Sequence, residues 1–439
     1  MKVREKARKA GEAARELSSS SKDFRNAELE RIAQSLEENR EEILEANRKD
    51  LSEAEKMVEE GDYSSSKLER LGLDQKFGSV VEMVRSVHGQ EDVIGKVEQA
   101  TELDEGLELY RQRTPVGVVG SVFESRPDAL VQIASLCLKS GNAVVLKGGS
   151  DASRTNRELH RVIDRATETE GWIQLVEARE DVEKMLELDE LVDLLVPRGS
   201  SSLVRRMKEN SSIQVLGHAE GLCHMYLDRE ADMEKAVELA VDAKIDYPAA
   251  CNAIETLLVH SDREDLLAEA VRELREEGVE VVGCKNTAEQ VDVRPAEDSA
   301  WDREYGEKKL SVRTVDCLEE AVRHVHRHGS GHTDAIVTED ADRADRFIRS
   351  LDSSSVMWNA STRFADGYRY GMGAEIGIST GKLHARGPVG LEGLTTYRYV
   401  LEGSGQTAGD YSPGDYIHRE ISRENRLTGR QNEKNCRGS

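Results

Sequence analysis

Cys251 stands in the stretch DYPAACNAIETLLV, behind a proline that closes a predicted helix and ahead of an apolar run that reads as a buried strand. A thiol at such a loop tip can face a cleft and serve as a nucleophile. A buried structural thiol is the commoner case, and it is the reading given to Cys137, Cys223, Cys284, Cys317 and Cys436. The polar neighbour Asn252 and a place at the junction of two α/β stretches set Cys251 apart.

Lys147 ends the apolar run NAVVLKGG, and the carboxyl end of a strand in a parallel sheet faces the ligand crevice. The glycines of GVVGSVF and KGGSDAS do not fit G-x-G-x-x-G, so each stretch by itself reads as an ordinary tight turn. Arg126 in ESRPD and Arg363 in NASTRF lie in turn-like surroundings where a guanidinium fork can meet a carboxylate or phosphate; a surface salt bridge is the plainer alternative for each. The run HVHRHGSGHTD carries His324, His326, His328 and His332. No cysteine or carboxylate beside them completes a ligand set and the first two fall in a helix, so we read polar loop histidines and expect no metal site.

These residues need elements to position them. Leu29, Ile32, Ala33, Leu36, Ile43 and Leu44 recur at helical spacing between Asn26 and about Met57, and ELDEGLELYRQRT alternates like an exposed hairpin. A βαβ series follows: VGVVGSVF, the helix DALVQIASLCLK, NAVVLKGG, and a helix over SDASRTNRELHRVIDRA with Ser150 or Asp151 as its cap. Further strands are expected at WIQLVE, LVDLLV, IQVLG and LCHMYLD. After a helix from Ala231 to about Ile245 the alternation restarts and runs through SSVMWN, giving a second α/β unit.

The chain has 439 residues, 38% hydrophobic and 33% charged, enough for two or three cores. A net charge of -24 opposes attraction to a polyphosphate backbone, so nucleic acid is excluded as a partner; it also suits a salt-rich cytoplasm in which self-repulsion is screened. The cysteines show no C-x-x-C spacing, the first residues MKVREKARKAGEAARE show no signal-peptide apolar stretch, and no apolar run approaches the ~18 residues that span a bilayer. A reducing cytoplasm and no membrane partner are expected.

The blocks RTPVGVVGSVFESRP, NAVVLKGGSDA, DLLVPRGSSSLVRR, CNAIETLLV, SGHTDAIVTED, NASTRF and GAEIGISTGKLHARGPVGLEGLTTYRY resemble, in order, those of the γ-glutamyl phosphate reductases, from about Arg113 to Val400. The resemblance implies the aldehyde dehydrogenase-like α/β fold, with two Rossmann-like domains and a small β element for oligomerisation. On that pattern residues 1–98 and 115–228 form the cofactor domain, 229–385 the catalytic domain, 99–114 and 393–402 the oligomerisation element, and 403–439 a flexible tail. The implied reaction is NADPH-dependent reduction of L-glutamyl 5-phosphate to the semialdehyde with release of phosphate, in proline biosynthesis.

By the same resemblance Cys251 is the nucleophile, with its own N–H and Asn252 as donors to the carbonyl oxygen. A free thiol titrates near ~8.5, so the site must favour the thiolate or align the attack. Lys147, Gly148, Ser150, Arg198 and Glu304 would bind NADPH or NADP, Lys147 at the adenosine ribose or its 2′-phosphate and Glu304 at the nicotinamide ribose. Glu124, Ser125, Arg126 and Arg363 would bind substrate, the two arginines at its phosphate and α-carboxylate. The chain departs from the family with Asp128 in place of an asparagine and with EYGEKKLSV, which lacks the usual loop proline. The implied partners are a second copy of the chain, as dimer or tetramer, and glutamate 5-kinase.

Two other readings stay open. A hydrolytic NAD(P)-dependent aldehyde dehydrogenase uses a glutamate base in an E-L-G-G block; here LGHAEGLCH puts His218 at about that place, with Glu220 nearby. The other is a non-catalytic homologue kept for binding.

Overall fold

A computed structural model describes residues 2–422 except 62, 64, 179 and 413. The chain divides into two compact units: residues 1–196, 210–215 and 390–439, and residues 197–209 and 216–389.

The first unit opens with three long helices, Val3–Ser19, Lys22–Glu38 and Arg40–Glu59. Leu29, Ile32, Ala33, Leu36, Ile43 and Leu44 are all buried, as their spacing predicts, and the single predicted helix is broken at Asn39. The first helix packs through Val3, Ala7, Ala10, Ala13, Ala14 and Leu17, a face too rich in alanine to show in the hydrophobic pattern. A parallel sheet of order β5-β4-β3-β6 follows, from Val118–Phe123 (β3), Ala143–Gly148 (β4), Ile173–Leu175 (β5) and Leu194–Arg198 (β6). IQVLG is no strand; it makes one isolated bridge, Val215 to Leu195.

The expected cap by Ser150 or Asp151 is not made, because a short 3-10 turn over Ser150–Ala152 separates them from the helix Ser153–Ala166. Asp50 of the third helix supplies the cap instead. Its buried carboxylate accepts from Arg154 N (3.4 Å), Thr155 N (2.8 Å) and Thr155 Oγ1 (2.7 Å), satisfying amides that the helix itself leaves without partners.

The hairpin is Val97–Asp104 (β1) and Leu107–Pro115 (β2), and Thr395–Glu402 (β16) adds to β2 in antiparallel register from Thr395↔Pro115 to Glu402↔Glu108. Arg419–Glu420 (β17) pairs with β1, giving the order β16-β2-β1-β17. The tail expected to be flexible from 403 is therefore corrected over its described part: Ile417 N and Ile421 N donate to the carbonyls of Leu103 and Ala100. Its remainder, 423–439, lies outside the described residues.

The second unit is a seven-stranded parallel sheet of order β10-β9-β11-β8-β7-β12-β13. In chain order its strands are Cys223–Leu227 (β7), Ile254–His260 (β8), Glu280–Gly283 (β9), Arg294–Pro295 (β10), Lys309–Val315 (β11), Thr333–Val337 (β12) and Ser355–Trp358 (β13). Leu257 and Val259 face one side, against the helices Met233–Ile245 and Glu264–Glu276, while Leu258 faces the other, against Val325 and Phe347. This doubly covered sheet explains the near-continuous apolar runs of its strands. Because β7 pairs with β8 and β12, the boundary expected at 228 falls instead between 215 and 216. A short antiparallel pair, Ile378–Ser379 (β14) and Gly387–Pro388 (β15), completes the unit.

Candidate active site

Strands β8, β7 and β12 are neighbours, so the loops entering them meet at one edge of the sheet. Cys251 lies on the loop before β8, His218 on the loop before β7, and His332 immediately before β12. One ligand atom from each of the three lies within 4.8 Å of the other two, and the imidazole rings stand edge to face with centroids 4.7 Å apart.

The surrounding groups fix this trio. Cys223 Sγ, wholly buried, donates to the Cys251 carbonyl at 3.2 Å and lies 3.7 Å from His332 Nδ1. Burial raises the Cys223 thiol well above its usual range, so it stays a neutral support. His218 Nδ1 is 2.9 Å from the Ile378 carbonyl, which can only accept; Nδ1 therefore carries the proton and Nε2 is left with a lone pair. Burial lowers the His218 pKa, which keeps this ring neutral near pH 7. His332 Nδ1 meets Thr333 Oγ1 at 2.9 Å, and its Nε2 is buried without a partner among the described residues. Reading the histidines as polar loop residues is thus corrected: His332 is buried beside the thiol, and His324, in a helix as expected, is buried within Leu318–His328. A histidine before a strand signals nothing in sequence until the strand order is known.

Asn252 also departs from expectation. Its Nδ2 donates to the carbonyls of Arg363 (3.3 Å) and Ala365 (3.0 Å), and its Oδ1, buried without a described partner, can only accept. Both amide hydrogens are committed to the backbone, so the side chain is not a donor to a developing oxyanion. It ties the Arg363 segment to the Cys251 loop. Arg363 itself is buried, its Nε 3.1 Å from Asp246 Oδ2, and Arg369 followed by Arg363 hold that carboxyl below its usual range.

Glu304 is half-buried on a loop whose Gly306 N–H donates to Glu255 Oε1 at 3.2 Å. Gly306 adopts φ 62°, so glycine and an inner carboxylate shape the loop that lacks the family's proline. Glu255 is pushed up to about 7 by burial, against the pull of Lys244, whose Nζ is 2.8 Å from Oε2. Arg198 and Glu304 both act electrostatically on His218. Glu220 is ion-paired with Arg205.

The remaining predicted residues belong to the first unit. Glu124, Ser125 and Arg126 follow β3, with Arg126 at the amino end of the helix Pro127–Lys139. Ser125 holds a left-handed backbone, φ 51°, and its Oγ donates to Asp151 Oδ2 at 2.6 Å. Lys147 and Gly148 end β4, and Ser150 opens the turn beyond. Lys147 Nζ donates to the Gly148 carbonyl at 2.7 Å. A β-carbon on Gly148 would lie 2.8 Å from Asn156 Cγ, so this glycine is required by packing. The oxygens Asp151 Oδ1 and Asn156 Oδ1 are buried there without partners among the described residues.

Residues 1–305 match the model of the aldehyde dehydrogenase family. The γ-glutamyl phosphate reductase of Natronomonas pharaonis is 53% identical over 94% of this chain and 96% of that protein. The one from Haloquadratum walsbyi is 52% identical, over 94% and 93%. The crystal structure of the Thermotoga maritima γ-glutamyl phosphate reductase is similar with a TM-score of 0.89 at 39% identity, covering 93% of this chain and all of that one.

Proposed function

The chain belongs to the γ-glutamyl phosphate reductases within the aldehyde dehydrogenase family, and from that premise we infer that it reduces L-glutamyl 5-phosphate to the semialdehyde through a thioester on Cys251. The observation that carries this reading is Cys251 set against two imidazoles whose Nδ1 atoms are already held.

His218, neutral and with Nε2 unprotonated, accepts the thiol proton as Cys251 Sγ attacks the acyl carbon. The C–S bond forms, the bond from carbon to the phosphate oxygen breaks, and phosphate leaves with its electron pair. The Cys251 backbone N–H is the donor aimed at the carbonyl oxygen, since the Asn252 amide is occupied elsewhere. A reduced nicotinamide cofactor, when bound, supplies the hydride that takes this thioester to the aldehyde level. Collapse of the resulting adduct on Cys251 returns the thiolate. Glu220 would be the base of a hydrolytic enzyme, and here its carboxylate is ion-paired with Arg205.

Family membership makes the cofactor a nicotinamide, and the residues after β4 fit its adenosine ribose: two buried acceptor oxygens, of Asp151 and Asn156, answer two hydroxyl donors. Lys147 beside them favours a 2′-phosphate, hence NADPH over NADH. Arg363, on the same unit as Cys251, takes an anionic group of the substrate. We further infer a homo-oligomer. Edge strand β16 leaves Tyr397, Tyr399 and Leu401 at least half exposed. Among the described residues no helix is long and apolar enough to cross a membrane.

The test is the reverse reaction. Glutamate semialdehyde and NADP should give NADPH only when inorganic phosphate is present. NADPH formed without phosphate would replace this reading with a hydrolytic dehydrogenase.

A further inference from the structure

We propose that Cys251, His218 and His332 together form a binding site for a thiophilic divalent cation such as Zn2+, which blocks the enzyme reversibly by capturing its nucleophile. The inference rests on the reading of Cys251 as the reactive thiol.

Three features point to a ligand. The donor set, one thiolate and two imidazoles, is that of tetrahedral zinc with a fourth position left open. Each imidazole is oriented from behind as metal-bound histidines are: His218 Nδ1 by the Ile378 carbonyl at 2.9 Å, and His332 Nδ1 by Thr333 Oγ1 at 2.9 Å. The third is His332 Nε2, which belongs to a side chain with no measurable exposure and has no partner among the described residues.

The geometry needs a modest closure. Zn–N bonds of about 2.0 Å and a Zn–S bond of about 2.3 Å separate the donors by roughly 3.3–3.5 Å, against an upper separation of 4.8 Å here. Cys251 is only half-buried, so rotation of its side chain can supply the difference and its exposed side gives the ion a path in. On binding, the thiol proton is released to solvent and the sulfur lone pair that would attack the acyl carbon is held by the metal. The site therefore cannot hold the cation and turn over at once.

Cobalt and zinc are the probes, used on the full chain without substrate. Titration with Co2+ should give one site per chain with a thiolate-to-cobalt absorption band, and Zn2+ should bleach it. The band should vanish in Cys251→Ser, and affinity should fall at least about tenfold in His218→Ala and in His332→Ala, since loss of even an outer partner of a ligand costs that much. A band that persists in Cys251→Ser, or an affinity unchanged in both histidine variants, overturns the site. Should a variant not fold, the wild-type protein still decides: Zn2+ must slow alkylation of the Cys251 peptide by iodoacetamide, and an unchanged rate overturns the proposal. Binding is read without turnover. A chain that carries out phosphate-dependent reduction yet binds no zinc overturns this inference alone, and zinc binding in an inactive chain overturns the reductase reading alone.

Discussion

Gly221 packs backbone against backbone on Cys251. A β-carbon built on Gly221 would lie 2.7 Å from Cys251 Cα and 2.8 Å from its carbonyl carbon. Neither neighbour is a flexible side-chain end, so any larger residue must push the Cys251 backbone. Gly221→Ala is expected to lower kcat by about 100-fold, the cost of moving a reacting group by roughly an ångström, with a stability loss of about 1–3 kcal/mol from overpacking. Steady-state rates together with urea unfolding check this. A variant as active as the wild type would mean that the Cys251 loop moves freely.

Asn252→Ala separates two roles for one side chain. With Nδ2 bonded to the Arg363 and Ala365 carbonyls, its loss frees the segment that carries Arg363, and KM for the acyl phosphate should rise while kcat changes little. Were the amide an oxyanion donor, kcat itself would drop by about 10²–10³. The split between the two constants, measured in the forward direction, distinguishes them.

What could be read beforehand follows from how locally each feature is encoded. The strands of the second unit stood out because a sheet covered on both faces demands apolar runs such as ETLLVH, and Leu257, Leu258 and Val259 are all buried. The helix Val3–Ser19 did not stand out, because small alanines fill its buried face. β17 is two residues long and carries no period. The site divides the same way. Cys251 sits between a helix-closing proline and a buried strand, whereas His332 joins it only through the order β8-β7-β12, and the committed amide of Asn252 depends on where a distant loop passes.

His324 should make the protein acid-sensitive. Burial, with His224 and His328 adding to it, lowers its pKa to about 2, against 6.5 for a free imidazole. Between those values the unfolded chain binds a proton that the folded chain refuses, so stability is full above about pH 6.5 and falls as the pH drops, by about 1.4 kcal/mol per unit for this one group. His324→Phe should make the slope of unfolding free energy below pH 6 shallower by about one proton. An unchanged slope would mean that the ring titrates normally.

The net charge of -24 predicts salt dependence. Self-repulsion among excess carboxylates weakens as the screening length shortens, so the thermal midpoint should rise steadily from dilute buffer into molar KCl. A midpoint independent of KCl would show that surface ion pairs such as Arg272 with Glu269 and Glu276 already balance the field locally.

The edge strand β16 gives the last expectation. Tyr397, Tyr399 and Leu401 alternate along a strand whose outer backbone edge is unpaired among the described residues in the order β16-β2-β1-β17, and they are 50%, 63% and 56% exposed. A free edge with aromatic side chains pairs readily with another copy of itself, whereas charge placed on it discourages pairing. Tyr399→Lys with Leu401→Glu should therefore lower the mass measured by light scattering, while unfolding stays cooperative. Arg111 stacks on Tyr397 at 4.8 Å within the same chain, so that tyrosine is best left in place. If the doubly substituted chain kept the mass of the wild type, the subunit contact would have to lie elsewhere.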